Sequence, residues 1–154
     1  WRAAGHSNDI IGLLWAVGVI AEIGVFAVGG ALLRRLNPAQ LLLISAAIGA
    51  LRWSGMALTT DLLLLAFLQA LHAFTFGIAH LGAMHMLAQE LRPEVSASAQ
   101  GLYSVVNGGL ALGASILAAG PLYAAYGGGS FWIMAGLAAI GGAAALFLLP
   151  RKAA

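Results

Sequence analysis

The sequence predicts an all-α membrane protein of about five transmembrane helices, and three observations predict it. Of its 154 residues, 62% are apolar and only 8% are charged, whereas a soluble domain carries roughly 25% charged residues. Mean hydropathy is +0.96. Apolar stretches of the length that crosses a hydrocarbon core, about 20 residues, recur between short polar breaks. Cysteine is absent, which excludes disulfide frameworks, thiolate metal sites, iron–sulfur clusters and cysteine nucleophiles. The seven basic and five acidic residues are not gathered with aromatics on a polar face, so nucleic acid is not an expected partner. No secretory leader pattern opens the chain, which begins Trp1-Arg2-Ala3.

Caps and turn residues set the expected spans in order. The first runs over 10–33, with Ser7, Asn8 and Asp9 available to bond its orphan backbone donors. Arg34-Arg35-Leu36-Asn37-Pro38 ends it, and Pro38 suits the first position of a second span over 39–58. Thr59, Thr60 and Asp61 form a turn and cap before the longest span, 62–89. Glu90 to Glu94 reads as a polar loop, and Ser96 as the cap of a fourth span over 97–124, which Pro121 is expected to kink. Tyr126-Gly127-Gly128-Gly129-Ser130 is a tight turn, and a fifth span over 131–149 closes at Pro150-Arg151-Lys152. The whole chain, 1–154, reads as one helical membrane domain.

Basic residues orient the bundle, because cytoplasmic loops retain Lys and Arg. Arg34, Arg35, Arg92, Arg151 and Lys152 fall on one side, Arg2 on the other and Arg52 within a span. This predicts a multi-pass protein of the cytoplasmic membrane with its C-terminus in the cytoplasm and Trp1 outside. An odd number of spans starting outside predicts a further helix before them. Gly109 and Gly113 form a GxxxG pair, with Ala111, Ser115 and Ala119 repeating small residues at the same spacing; it reads as a sliding surface or as static packing. A weak echo at an offset of 89 residues pairs Gly12-Leu13 with Gly101-Leu102 and Val17 with Val106, relating span one to span four as repeated helix triplets would.

Ionisable groups cost roughly 2.5 to 3.5 kcal/mol each at the centre of a bilayer, so those inside spans are the functional candidates. Glu22 lies about 18 Å from either end of span one. An apolar surround disfavours the charged form of a carboxyl, which is what a proton carrier requires; the alternative is a neutral Glu22 bonded to a neighbouring helix or paired with Arg52. On span three, Gln69, His72, Phe76, His80 and Ala83 share an arc of about 80°. That stripe suits a polar cavity lining in which imidazoles relay protons or hold an anion. His72 and His80 are about 12 Å apart, too far to share one metal ion, so no metal is expected. His85 points away near the cytoplasmic end. Arg52 is expected to snorkel to the outer interface, and Asn107 either faces the cavity or bonds across helices.

Trp15-Ala16-Val17-Gly18-Val19-Ile20-Ala21-Glu22, the run from Leu68 to His80 and Gln100-Gly101-Leu102-Tyr103 together resemble the phenylpropionate permease-like branch of the major facilitator superfamily, relatives of the lactose permease type. The resemblance covers nearly the whole chain and implies helices 8 to 12 of a twelve-helix transporter, so that an N-terminal half of the same polypeptide is a partner. Gly30 to Arg35 looks like the superfamily's glycine and basic cytoplasmic loop but lacks its acidic residue. The implied activity is proton-coupled import of a small organic solute such as an aromatic carboxylate, with Glu22, His72 and His80 as proton-coupling candidates. Gln69, His72, Phe76, His80 and Asn107 are the cavity candidates, protons and the solute the partners, and no cofactor is implied. A sugar or nucleoside symporter of the same superfamily is the alternative, and a non-transporting scaffold or remnant that of another class. No motif pairs a nucleophile with a base, so an enzyme is not expected.

Overall fold

Helix starts follow the capping residues, because the first backbone N–H groups of a helix have no partner inside it. In the computed structural model, which describes residues 1–149, Ser7 accepts from the Ile10 N–H and opens α1 (Asn8–Arg35). Asn37 and Gln40 close a reciprocal capping box, at 2.8 and 2.9 Å, over Pro38 at the first position of α2 (Pro38–Leu58). Asp61 caps α3 (Leu62–Ala70) through Leu64. An irregular π turn, Ala73–Gly77, joins α3 to α4 (Ile78–Glu90), and the two make span three. Span four is α5 (Pro93–Ser104), a second π turn at Val105–Ala111 and α6 (Leu112–Tyr126). After Gly127–Gly129 comes α7 (Ser130–Leu146).

Four continuous helical stretches among the described residues are long and apolar enough to cross a membrane. The last, Pro93–Leu146, has 54 residues, or about 81 Å at 1.5 Å per residue, far beyond a hydrocarbon core of about 30 Å. It is interrupted where Gly127 takes a positive φ of 54°, a conformation open to glycine at no steric cost. That break separates α6 from α7, which packs along α2. The all-α fold class expected from the sequence is the one observed, with no strand among the described residues.

Several local expectations are overturned. Span four starts at Pro93, not after Ser96, because a proline fits a first helical position and Ser96 lies a turn inside α5. Arg34 and Arg35 form the last turn of α1 instead of a loop, where positive side chains meet the helix's negative end. Gly109 and Gly113 have no neighbour within 4 Å of a built Cβ, so the GxxxG pair packs against nothing among the described residues. The close small-residue seam is elsewhere. A Cβ at Gly49 would lie 3.3 Å from Ala138, and one at Gly142 3.1 Å from Ala46, which brings α7 onto α2. Trp53 of α2 stacks on Phe131 of α7 at 5.7 Å. Arg151 and Lys152, expected to mark the C-terminal side, lie outside the described residues.

Contacts between α1 and span three fix their register. Gly18 faces Gln69 and His72, Val25 faces Gly77, and Gly29 faces Leu81. Both numbers rise together, so the two helices run parallel, with the antiparallel α2 between them in the chain. Val25, Leu41, Ala73 and Ile78 form the buried cluster where α1, α2 and span three meet. Lipid gives no hydrophobic drive to this packing, so close fit carries more of the stability than in water.

Gly82 is a sharp test of that fit, since a Cβ there would sit 3.1 Å from Leu41 Cβ and 3.3 Å from the Pro38 carbonyl. Gly82→Val should destabilise the detergent-solubilised protein by about 1–3 kcal/mol. A thermal unfolding midpoint unchanged from the parent would show that α2 and α4 are not in contact there.

A ladder of rings beside a buried cation

Glu22 and His72 are brought together by the α1–span three register. Glu22 Oε2 lies 3.8 Å from His72 Nε2, with 22% of the Glu22 side chain and 36% of the His72 side chain exposed, so neither group is sealed off from the space beside the helices. Below His72 the stripe expected from sequence forms a ladder. His72 stacks on Phe76 with centroids 5.7 Å apart, and Phe76 on His80 at 6.2 Å, the planes within 15° and 11° of parallel. Residues eight apart drift by about 80° around a regular helix. The wider turn at Ala73–Gly77 takes up part of that drift and lines up the three rings.

Two further aromatics close on the lower rung. Phe26, one turn beyond Glu22 on α1, meets His80 edge-on at 6.2 Å. Tyr103 of α5 meets the same imidazole at 6.1 Å, tilted by 52°. His80 is thus where α1, α4 and α5 converge. Phe26 was readable in principle, being four residues from Glu22 on one helix face; Tyr103 carried no signal beyond its place in a familiar run of residues.

Arg52 does not snorkel. It is 5% exposed and turned inward, with Nε donating to the Leu68 carbonyl at 2.9 Å and Nη2 to Gln69 Oε1 at 2.7 Å. Its guanidinium also lies 4.5 Å from the Trp53 ring centroid. Gln69 in turn donates to the Leu14 carbonyl at 3.3 Å. Gln69, expected in the cavity, is 4% exposed and ties α1, α2 and α3 together. No carboxylate lies in ion-pair contact with Arg52 among the described residues.

The irregular turn that aligns the rings is itself supplied with donors. Thr75 Oγ1 donates to the His72 carbonyl at 3.0 Å and Ser45 Oγ to the Thr75 carbonyl at 2.8 Å. With Arg52 on Leu68, three side chains serve backbone oxygens around one break, two of them from α2. Sequence reading missed this turn, because its donors come from another helix. Asn107 lies in the second π turn, exposed and without a side-chain hydrogen bond among the described residues. His85 pairs with Gln89 one turn away at 3.1 Å. Among the described residues no three His, Asp or Glu side chains gather as a metal ion needs.

Helices long and apolar enough to cross a membrane, with their few polar side chains facing one another, define an integral membrane protein, and the chain belongs to the MFS_1 like family, whose model matches residues 2–134. It is 42% identical over 151 residues to the probable 3-phenylpropionic acid transporter of Escherichia coli (strain K12), a match that covers 98% of this chain and 38% of that relative. The chain therefore spans well under half the length of the protein it resembles. No solved structure matches it.

The Arg52–Gln69 contact carries a measurable coupling. Arg52→Leu leaves Gln69 Oε1 without its buried donor, at about 1–3 kcal/mol, and Gln69→Leu leaves the guanidinium half-satisfied. A double-mutant cycle on the unfolding of the solubilised protein should give a coupling of about 1.5–3 kcal/mol. Additive single effects would mean that the two side chains do not meet.

Proposed function

We propose that this chain forms part of a proton-coupled secondary transporter that imports a small aromatic carboxylate across the cytoplasmic membrane. Its other part is an N-terminal half of the same polypeptide, and its C-terminus lies in the cytoplasm. The observation that carries the reading is the Glu22–His72 pair, 3.8 Å apart, at the head of a stacked ring ladder inside helices built for lipid. Family membership and the name of the E. coli relative support it.

The chemistry follows from the pair. With its proton, Glu22 is neutral and crosses the low-dielectric region at little cost; without it, the carboxylate faces the polar His72 imidazole and its charge is offset by that of Arg52. The rings of Phe26 and Tyr103 and the edge of Phe76, whose faces are taken by His72 and His80, offer apolar contact to an aromatic solute. Few hydroxyl or amide groups line the ladder, since Gln69 is committed to Arg52 and Leu14. That favours an aromatic acid over a sugar or nucleoside, each of which needs many directed hydrogen bonds.

Glu22→Gln should abolish accumulation of 3-phenylpropionate against its gradient by the full-length protein in vesicles, while exchange of labelled for unlabelled solute continues. Accumulation at the unmodified level would remove Glu22 from proton coupling. Loss of stability with no selective transport defect would favour a scaffold.

A further inference from the structure

The ladder has two chemically different ends. At the upper end Glu22 faces His72, and its carboxylate, when ionised, repels any second carboxylate. Arg52 stands on that side too, but it is buried and its guanidinium is spent on Leu68 and Gln69. At the lower end His80 has no acidic side chain in ion-pair reach among the described residues. Beside it stands the Tyr103 phenol, partly exposed and without a hydrogen-bond partner among the described residues.

We propose that the carboxylate of an aromatic acid is seated between the His80 imidazole and the Tyr103 hydroxyl, with its ring one rung away against Phe76 and Phe26. Tyr103 is then a specificity-determining residue, and Glu22 is left free for the proton. The assignment rests on the transport reading above.

Spacing supports it. The Phe76 and His80 centroids are 6.2 Å apart. In an extended 3-arylpropionate the ring centre and the carboxyl carbon are about 5 Å apart by standard bond lengths. One rung of the ladder matches a two-carbon linker. In a benzoate the carboxyl carbon lies only about 3 Å from the ring centre, about half a rung, so it spans the ladder less well. Bonds from the Tyr103 O–H and a His80 N–H to one carboxylate would be charge-assisted, the stronger kind.

The test uses the full-length transporter reconstituted in liposomes under an imposed proton gradient, with labelled 3-phenylpropionate as the probe. Tyr103→Phe keeps the ring and removes one donor, so KM should rise about tenfold or more, with Vmax little changed and the protein still present in the membrane. Inhibition by 3-phenylpropanamide, whose uncharged carbonyl accepts a weaker bond from the same hydroxyl, should weaken less in the variant than binding of the carboxylate does. Benzoate should inhibit the parent far more weakly than 3-phenylpropionate does. His80→Gln, which removes the stacked ring, should raise the same KM. A KM within twofold of the parent in Tyr103→Phe, with uptake intact, overturns this placement and leaves the transport reading standing. Absence of arylpropionate uptake by the unmodified transporter overturns both.

Discussion

A backbone carbonyl inside a bilayer has no water to turn to, so each break in a helix must be met by a donor from the protein. Span three breaks its regular ladder between Ala70 and Ile78, and the rest of the structure is arranged around that break. Ser45, Gly49 and Arg52 lie on one stripe of α2. The first and last donate to Thr75 and Leu68, and Gly49 between them lets Thr75 and Ala138 approach. Substituting Arg52 therefore disturbs more than a charge. It removes a donor to the helix whose irregular turn aligns His72, Phe76 and His80.

Close approach is the second requirement, and small residues meet it where helices cross. Gly18 admits the Gln69 carbonyl and His72, Gly29 admits Leu81, and Gly82 admits Leu41. These contacts place Glu22 opposite His72 and Phe26 opposite His80. Register and chemistry are thus one constraint: a side chain larger than alanine at Gly18 would press on the Gln69 carbonyl and on His72.

Elements whose cause is local were legible in the sequence. Ser7 and Asp61 stand among the residues read as caps because a helix start needs a side-chain acceptor at a fixed position, and both of them cap; the Asn37 cap of α2 is found only in the structure. The His72–Phe76–His80 stripe was legible because helical periodicity puts those residues on one face. Features whose cause lies in another helix were not. Arg52 sits at a depth that permits snorkelling, and only the position of Gln69 and Leu68 turns it inward. The two π turns carry no composition of their own. Gly109 and Gly113 show the converse, a good local pattern with no helix beside it among the described residues, while Ala46, Gly49, Ala138 and Gly142, unremarked in the sequence, make the actual seam.

Charge balance connects the buried cation to the proposed transport. With the imidazoles uncharged, Arg52 contributes one positive charge and ionised Glu22 one negative, so the intramembrane cluster is neutral when Glu22 has lost its proton and positive by one when it holds it. Bringing an anion beside a neutral cluster within a bilayer is costly, whereas a cluster with net positive charge compensates part of its desolvation. In the proposed transporter, proton binding at Glu22 and carboxylate binding at the lower end of the ladder would then favour each other without touching. By linkage the preference is reciprocal, since whatever the proton does for the anion the anion does for the proton. The proposed coupling needs Arg52 to be held away from both the proton site and the solute. Were its guanidinium free to pair with Glu22 or with the solute, it would satisfy one of them and uncouple the other, and its bonds to Leu68 and Gln69 prevent this.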